Sequence, residues 1–172
     1  GTFAVQIAKW LGAHVVGVSS GRNTELVKSL GADETIDYTK ADYTAGGTPY
    51  DVIIDMVGNR PLLENRRVLT PTGRYVMVGG PEGTWIAPLD RVARMFLLSK
   101  FVSQDFRMFI AELNQPDLTT LRDLMQAGTV RPVVDKRFGL ADAPEAMRYL
   151  ETGRARGKVI VTMGEPALAS GS

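Results

Sequence analysis

The apolar residues of this chain follow two spacings in alternation. Helical spacing, with apolar positions three or four apart, runs through GTFAVQIAKWLG, NTELVKSLG, RPLLENRRVL and DLTTLRDLMQAG. Short continuous or β-branched runs lie between and after these segments: AHVVGVSS, ADETIDY, YDVIIDMVG, GRYVMVGG, VVDKRF and KVIVTM. Glycine closes many segments of both kinds, as is typical where helices and strands end. The pattern predicts short strands that alternate with helices.

Three further segments complete the prediction. LDRVARMFLLSK and DAPEAMRYLETG have helical spacing, and FVSQDFRMF resembles a strand. Asp142 and Glu145 stand at capping-box spacing, so a capping box is expected at the start of the last helix. Residues 163–172 show no pattern and predict a disordered tail.

The order of the elements predicts the fold class. Short strands that alternate with helices indicate an α/β fold, with a parallel sheet and helices on both of its faces. The continuous apolar runs in YDVIIDMVG and GRYVMVGG predict strands that are covered on both faces. The sequence has no internal repeat and no long linker, so residues 1–162 are predicted to form one domain.

Composition narrows the classes of partner. Lysine and arginine total 20 against 19 acidic residues, and the net charge of +1 argues against a general nucleic-acid or anionic-membrane surface. The sequence has no cysteine, so no disulfide framework or thiolate metal site is expected, and zinc is not supported. No apolar run approaches the roughly 20 residues of a bilayer span. We expect a soluble, cytoplasmic protein.

Several segments together resemble a known family. GTFAVQIAKWLGAHVVGV, LGADETIDY, YDVIIDMVGN, LTPTGRYVMVGG, AGTVRPVVDKRF and APEAMRYLETGRARGKVIVT are similar, in that order, to the cofactor domain of medium-chain dehydrogenase/reductases. The zinc-independent quinone oxidoreductase branch is the most similar. The resemblance runs from Gly1 to about Thr162. It implies a Rossmann-type doubly wound parallel sheet that binds NAD(P)H, alongside an amino-terminal GroES-like domain that shapes the substrate cleft.

The resemblance also implies that this chain lacks part of that domain. Gly1 would be the last glycine of the phosphate loop, with the first strand and most of the glycine-rich loop missing. In the strand order 3-2-1-4-5-6 the first strand is central, so its loss leaves strands 2 and 3 unpaired from strands 4, 5 and 6. We therefore expect the isolated chain to be unstable and inactive. The resemblance separately implies that the full-length protein is a homodimer that pairs through an edge strand, here FVSQDF.

The end of the run HVVGVSSGRN bears on cofactor choice. About 20 residues beyond the glycine loop, NAD-binding Rossmann domains place a carboxylate on the ribose, whereas an arginine accommodates the 2′-phosphate of NADP. Here the window holds Ser19, Ser20, Gly21 and Arg22. Hydroxyl groups and a guanidinium can donate hydrogen bonds to phosphate, and an acid would repel it. We expect NADPH rather than NADH, although the same residues would also make an ordinary polar loop before a helix.

Other candidate cofactor contacts follow from the resemblance. Gly1 and Thr2 would stand at the amino end of the first helix, where free N–H groups favour a pyrophosphate. The remaining contacts implied are Tyr38 with the 2′-phosphate, Lys158 with a phosphate, Val57, Gly58, Val78, Gly79 and Gly80 with ribose and nicotinamide, and Phe101, Val102 and Ser103 with the nicotinamide ring. Each position also has an ordinary structural interpretation, as a strand-end tyrosine, a solvated lysine, a turn glycine or a core side chain.

These residues together predict the NADPH-binding part of an oxidoreductase that transfers a hydride to a small-molecule quinone, enone or related carbonyl. No acid or base is identified as a proton donor, so the catalytic residues stay unknown. Two alternatives stay open: a zinc-dependent alcohol dehydrogenase or enoyl reductase of the same superfamily, and a non-catalytic NADPH-binding or structural protein. The late segments GRYVMVGG and RGKVIVT disfavour an S-adenosylmethionine-binding domain.

Overall fold

The structure is a computed structural model that describes residues 1–47, 49–78, 102–108 and 112–164. The helices are α1 (Thr2–Trp10), α2 (Thr24–Ser29), α3 (Leu62–Arg67), α4 (Gln115–Gln126) and α5 (Ala143–Glu151). The strands are β1 (Val16–Ser19), β2 (Glu34–Asp37), β3 (Tyr50–Asp55), β4 (Leu69–Met77), β5 (Asp105–Met108), β6 (Val134–Gly139) and β7 (Lys158–Thr162). The predicted helix LDRVARMFLLSK and most of the predicted tail lie outside the described residues.

The described strands form three sheets. β3, β4 and β5 lie side by side in that order and run parallel, and β6 and β7 form a parallel pair. β1 and β2 form a further two-stranded sheet, so these strands are not hydrogen-bonded to the β3–β4–β5 sheet. The alternation of helices with parallel strands confirms the predicted α/β class.

The chain divides into two compact units. The central unit consists of Gly1 and Ile36–Leu118, and the terminal unit consists of Thr2–Thr35 with Thr119–Ser172. The single domain over residues 1–162 stays a prediction. In the part of the chain that the structure describes, no helix is both long enough and apolar enough to cross a membrane.

The central unit has its core on one face of its sheet. Residues paired across β3, β4 and β5 share a face, and Ile53, Tyr75 and Phe106 form one such row. The Tyr75 ring is fully buried, and its centroid lies 5.6 Å from that of Phe106. The cluster comprises Leu62, Leu69, Tyr75, Met77 and Phe106, with Ile53 and Val102 packed against it. The burial of each of these large side chains stabilises the folded state by roughly 1.5–3 kcal/mol.

The prediction that β3 is covered on both faces is wrong for the structure described. Val52 and Ile54 alternate with the core residue Ile53 and are 54% and 45% exposed. Successive side chains of a strand point to opposite faces, so an apolar run alone does not show how many faces are covered. In this sheet the buried cluster lies on the Ile53 face only.

The predicted capping box is also wrong. Asp142 does precede α5, but its side chain makes no capping hydrogen bond. Residues Leu140–Asp142 form a 3-10 turn that runs directly into the helix, and Asp142 has φ −94° and ψ 9° instead of the extended backbone of a capping residue. Pro144 also lacks a backbone N–H and cannot be one of the donors that a cap would satisfy.

A buried glutamine ties together the two sequence segments of the terminal unit. The side-chain amide of Gln6 on α1 donates to the carbonyl oxygen of Arg131 at 3.0 Å, and its oxygen accepts from the Arg131 N–H at 2.8 Å. The same amide donates to the Thr2 carbonyl at 3.0 Å. Because both polar ends of this buried side chain are paired, Gln6 fixes α1 against the segment that leads into β6.

Asp33 connects α1, β1 and β2 by a charged contact. Its carboxylate accepts from Lys9 Nζ at 2.8 and 2.9 Å and from the Val15 N–H at 2.7 Å. The hydrogen bond from Lys9, followed by that from Val15, lowers the pKa of Asp33 below its ordinary value of 3.8. Protonation of this side chain therefore competes with folding.

The stability of the natural protein that carries this chain should depend on pH through Asp33. The folded-state pKa is depressed, so the stabilisation is present above the ordinary value and is lost as pH falls through the lowered value. Asp33→Asn should unfold at a lower denaturant concentration at neutral pH, and the difference should shrink as the solution is acidified below the ordinary pKa. Urea denaturation curves at a series of pH values measure this. A difference that stays constant across the acid range would contradict the assignment.

Candidate functional site

The carboxyl end of β1 presents hydroxyl groups and a cation. Ser19 is the last residue of β1, and its hydroxyl donates to the Ser20 carbonyl at 3.2 Å. Ser20 precedes a 3-10 turn over Gly21–Asn23, and its hydroxyl accepts from the Asn23 side-chain amide at 3.4 Å. Arg22 is exposed on this turn, and no carboxylate among the described residues lies within salt-bridge distance of its guanidinium. The turn therefore leaves Arg22 available to an anion.

A second polar group lies within electrostatic range of Arg22. The Tyr149 hydroxyl on α5 donates to Asp135 Oδ2 at 2.7 Å, and the Arg156 N–H donates to the same oxygen at 3.0 Å. The hydrogen bond to Asp135 raises the pKa of Tyr149, and the positive charges of Arg156 and Arg22 oppose that rise. The same hydrogen bond, followed by that from Arg156, lowers the pKa of Asp135.

The local charge around Tyr149 is positive. Lys136 Nζ lies 4.0 Å from the centroid of the Tyr149 ring, in a cation–π contact. The charges of Arg156 and Lys136 act on Asp135, and those of Arg156 and Arg22 act on Tyr149. This grouping was not predicted, because the turn after β1 lies far in the sequence from β6 and α5 and the pair Tyr149–Asp135 forms no motif.

The amino end of α1 also has a lysine beside it. Thr2 is the first residue of α1, and Gly1 is an exposed residue directly before it. Lys158, the first residue of β7, places Nζ 5.5 Å from the ring centroid of Phe3, in the first turn of α1. Within the terminal unit, Lys158 thus lies beside the first turn of α1, which Thr2 begins, and such a helix end favours anions through its free N–H groups.

One predicted contact, Tyr38, lies on the central unit just after a strand end. Tyr38 follows β2 directly and is exposed in a turn. The preceding residue, Asp37, accepts from the Thr39 N–H at 3.0 Å and from the Thr39 hydroxyl at 2.7 Å, so it shapes this turn as a strand-end polar residue.

The carboxyl ends of β3 and β4 lie next to each other. Because β3 and β4 run parallel, their carboxyl ends lie side by side, and Asp55 at the end of β3 is the register partner of Met77 at the end of β4. Val57 and Gly58 follow β3, and Val78 follows β4 and donates its N–H to the Asp55 carbonyl at 2.9 Å. The structure therefore brings Val57, Gly58 and Val78 together at the carboxyl ends of the strands, where open parallel sheets bind ligands.

Asp55 connects these strand ends, and the sequence analysis did not select it. Its Oδ1 accepts from the N–H groups of Val57 at 3.0 Å and Gly58 at 2.7 Å. Its Oδ2 accepts from the hydroxyl of the buried Tyr75 at 2.6 Å. Gly58 adopts φ +71°, a left-handed backbone that glycine takes without strain. An acid placed between an apolar strand and a glycine turn was the available signal.

Val102 and Ser103 lie near the amino ends of the strands of the same sheet, and their contact with the nicotinamide ring stays a prediction. Both precede β5, and the Ser103 hydroxyl donates to the Pro71 carbonyl, near the beginning of β4, at 2.6 Å. Val102 packs against the core cluster. Six residues of extended strand separate Pro71 from Met77, which corresponds to roughly 20 Å. The structure does not bring these two residues together with Val57 or Val78.

Three of the predicted cofactor contacts cannot be placed. Gly79, Gly80 and Phe101 lie outside the described residues. In the described ranges, no group of three or more His, Cys, Asp or Glu side chains could hold a metal ion.

Comparison with known proteins identifies what the chain is similar to. A family profile described as zinc-binding dehydrogenase matches residues 30–161. A trans-enoyl reductase of Aspergillus terreus is 35% identical over 188 residues, which cover 96% of this chain and 49% of that protein. A chloroplastic quinone oxidoreductase of Triphysaria versicolor is 32% identical over 167 residues, with 94% of this chain and 48% of that protein covered.

A solved structure supports the same relationship. The quinone oxidoreductase from Coxiella burnetii superposes with a TM-score of 0.79 at 30% identity, covering 95% of this chain and 49% of that one. The chain spans about half the length of the curated relatives it matches. The fold and the sequence therefore agree with the predicted Rossmann-type cofactor domain, and the chain belongs to the zinc-binding dehydrogenase family of the medium-chain dehydrogenase/reductase superfamily.

Proposed function

We propose that this chain is the NADPH-binding part of an oxidoreductase that transfers a hydride to a quinone, an enone or a related carbonyl compound. One observation carries the choice of NADPH. Arg22 is exposed at the carboxyl end of β1, where an NAD-binding domain places an acid, and no carboxylate among the described residues pairs with it.

The donors around Arg22 suit a phosphate monoester. The guanidinium offers a planar pair of N–H groups. The Ser19 and Ser20 hydroxyls can turn towards an anion, because the hydrogen bond given for Ser19 is to a neighbouring carbonyl and the one given for Ser20 is 3.4 Å long. The charges of Lys136 and Arg156 around Tyr149 add to a positive potential on this unit. The residues present therefore fit the 2′-phosphate of NADPH.

The carbonyl substrate classes are supported by the relatives. One is a trans-enoyl reductase, and others are quinone oxidoreductases. NADPH supplies the hydride when bound, and this chain would contribute the positioning that makes such a transfer fast. No step is assigned to zinc. A cytoplasmic location and a homodimer stay predictions.

A binding experiment with a turnover assay tests the proposal. Calorimetric titration of the natural protein that carries this chain should give an affinity for NADPH that is at least about tenfold higher than for NADH, equivalent to one charge-assisted hydrogen bond. A quinone and an enone should then each be offered with NADPH, and its oxidation followed by absorbance. Equal affinities would refute the choice of NADPH. Tight binding without oxidation by either substrate would favour the non-catalytic alternative.

A further inference from the structure

Asp55 uses all of its acceptor oxygens to hold two strand exits together. Its two carboxylate oxygens accept from Val57, Gly58 and Tyr75, and its main-chain carbonyl accepts from Val78. The donors thus come from the turn after β3, from the interior of β4 and from the residue after β4. The Asp55 side chain is thus bonded both to the turn after β3 and to the neighbouring strand β4.

The residues held in this way leave their side chains accessible. Val57 is 57% exposed and Val78 is 38% exposed, although their N–H groups are fixed by Asp55. A rigid backbone with open apolar side chains is a surface that suits a flat, weakly polar ring. By contrast, Gly58 is buried and its left-handed backbone closes the turn.

The anchor of this arrangement lies in the core. Tyr75 is fully buried, packs against Phe106 with the two rings tilted, and donates its hydroxyl to Asp55 Oδ2 at 2.6 Å. The carboxylate is therefore oriented from below by the core, and its other oxygen faces the turn. A substitution at Asp55 would release the turn without removing any side chain of the core cluster.

We infer that Asp55 is a positioning residue for the nicotinamide end of the cofactor, acting through the backbone of Val57, Gly58 and Val78. This inference rests on the proposed function, because it needs the second half of the domain to bind the nicotinamide mononucleotide at these strand ends. Asp55 itself need not touch the reacting atoms. Its contribution is to fix, before binding, the exits that would contact the ring.

The test compares two ligands that differ only in the nicotinamide nucleoside part. NADPH and 2′-phospho-ADP-ribose, which lacks the nicotinamide, should be titrated into the natural protein that carries this chain and into Asp55→Ala. We expect Asp55→Ala to lower the affinity for NADPH about tenfold and to leave the affinity for 2′-phospho-ADP-ribose unchanged within about twofold. Asp55→Asn should recover most of the loss, because one amide oxygen can still accept from both N–H groups of the turn.

Asp51→Ala is the matched control. Asp51 lies on the same strand at its other end, is exposed and accepts only a 3.3 Å bond from the Thr70 hydroxyl. Neither ligand should be affected by this substitution. Equal weakening of both ligands by Asp55→Ala, or no weakening of either, would overturn the inference, because general loss of structure does not distinguish the two.

Tyr75→Phe decides the question if Asp55→Ala fails to fold. It keeps the buried ring and removes only the hydroxyl that orients the carboxylate. The affinity for NADPH should therefore fall about threefold, and the affinity for 2′-phospho-ADP-ribose should not change. Equal changes would again overturn the role of Asp55. If the unsubstituted protein binds 2′-phospho-ADP-ribose but not NADPH, the nicotinamide assignment and the inference are both wrong. If it binds neither ligand, the proposed function is refuted and the inference with it.

Discussion

Arg22→Glu should weaken the binding of NADPH about 100-fold and leave NADH within about threefold of its original affinity. The substitution removes a charge-assisted hydrogen bond to the 2′-phosphate, which contributes roughly 1.5–3 kcal/mol, and introduces a like charge. NADH has a 2′-hydroxyl at that position, to which a carboxylate can bond. Titration calorimetry with both cofactors measures the two affinities.

The control for this prediction is Arg67→Glu. Arg67 is an exposed arginine at the end of α3, and its reversal changes the net charge of the chain by the same amount. It should shift neither affinity by more than about twofold, because exposed charges are screened by salt. Equal losses for NADPH and NADH in Arg22→Glu would place the 2′-phosphate elsewhere.

Gly157→Ala should lower the free energy of unfolding by about 2–3 kcal/mol. A Cβ at this position would clash with the Val133 carbonyl oxygen and lie 2.9 Å from the Val133 carbonyl carbon and from its Cγ1. The adjacent Lys158 N–H donates to that same carbonyl at 2.6 Å, so the backbones of the two segments must approach closely where β7 begins. Backbone atoms cannot rotate away as a side chain can, and the parallel pair β6–β7 would have to shift.

Gly164→Ala provides the comparison. An added Cβ there meets nothing within 4 Å, so the free energy of unfolding should change by less than about 0.5 kcal/mol. Urea denaturation followed by circular dichroism measures both variants. Equal stability of the two would show that the clash at Gly157 relaxes at little cost. Because Lys158 begins β7, the Gly157 variant should also weaken any phosphate contact that Lys158 makes.

The two units differ in how far their candidate contacts could be predicted. Ser19, Ser20 and Arg22 are neighbours in the sequence, so the pattern of a β run followed by hydroxyls and a cation was sufficient to select them. Tyr149 and Asp135 are separated by 14 residues, and neither forms a motif in the sequence. The electrostatic effect of Arg22 on Tyr149 therefore became visible only in the folded chain.

The strand ends of the central unit show the same contrast. Glycine after an apolar run indicated the exits at Val57–Gly58 and Val78, but Asp55 acquires its role from Tyr75, 20 residues later. The parallel register decides that Met77 lies opposite Asp55. It also decides that Val102 and Ser103 lie near the amino ends of the strands. A continuous apolar run could not report either fact.

The order of helices and strands, the α/β class and the absence of an acid after β1 were determined by the sequence, because they depend on residues that are near each other along the chain. The tertiary structure alone decided which strand exits meet, which face of β3 is covered and whether Asp142 caps α5. Those features arise from contacts between residues far apart in the sequence, or from a neighbouring turn whose geometry overrides the local preference.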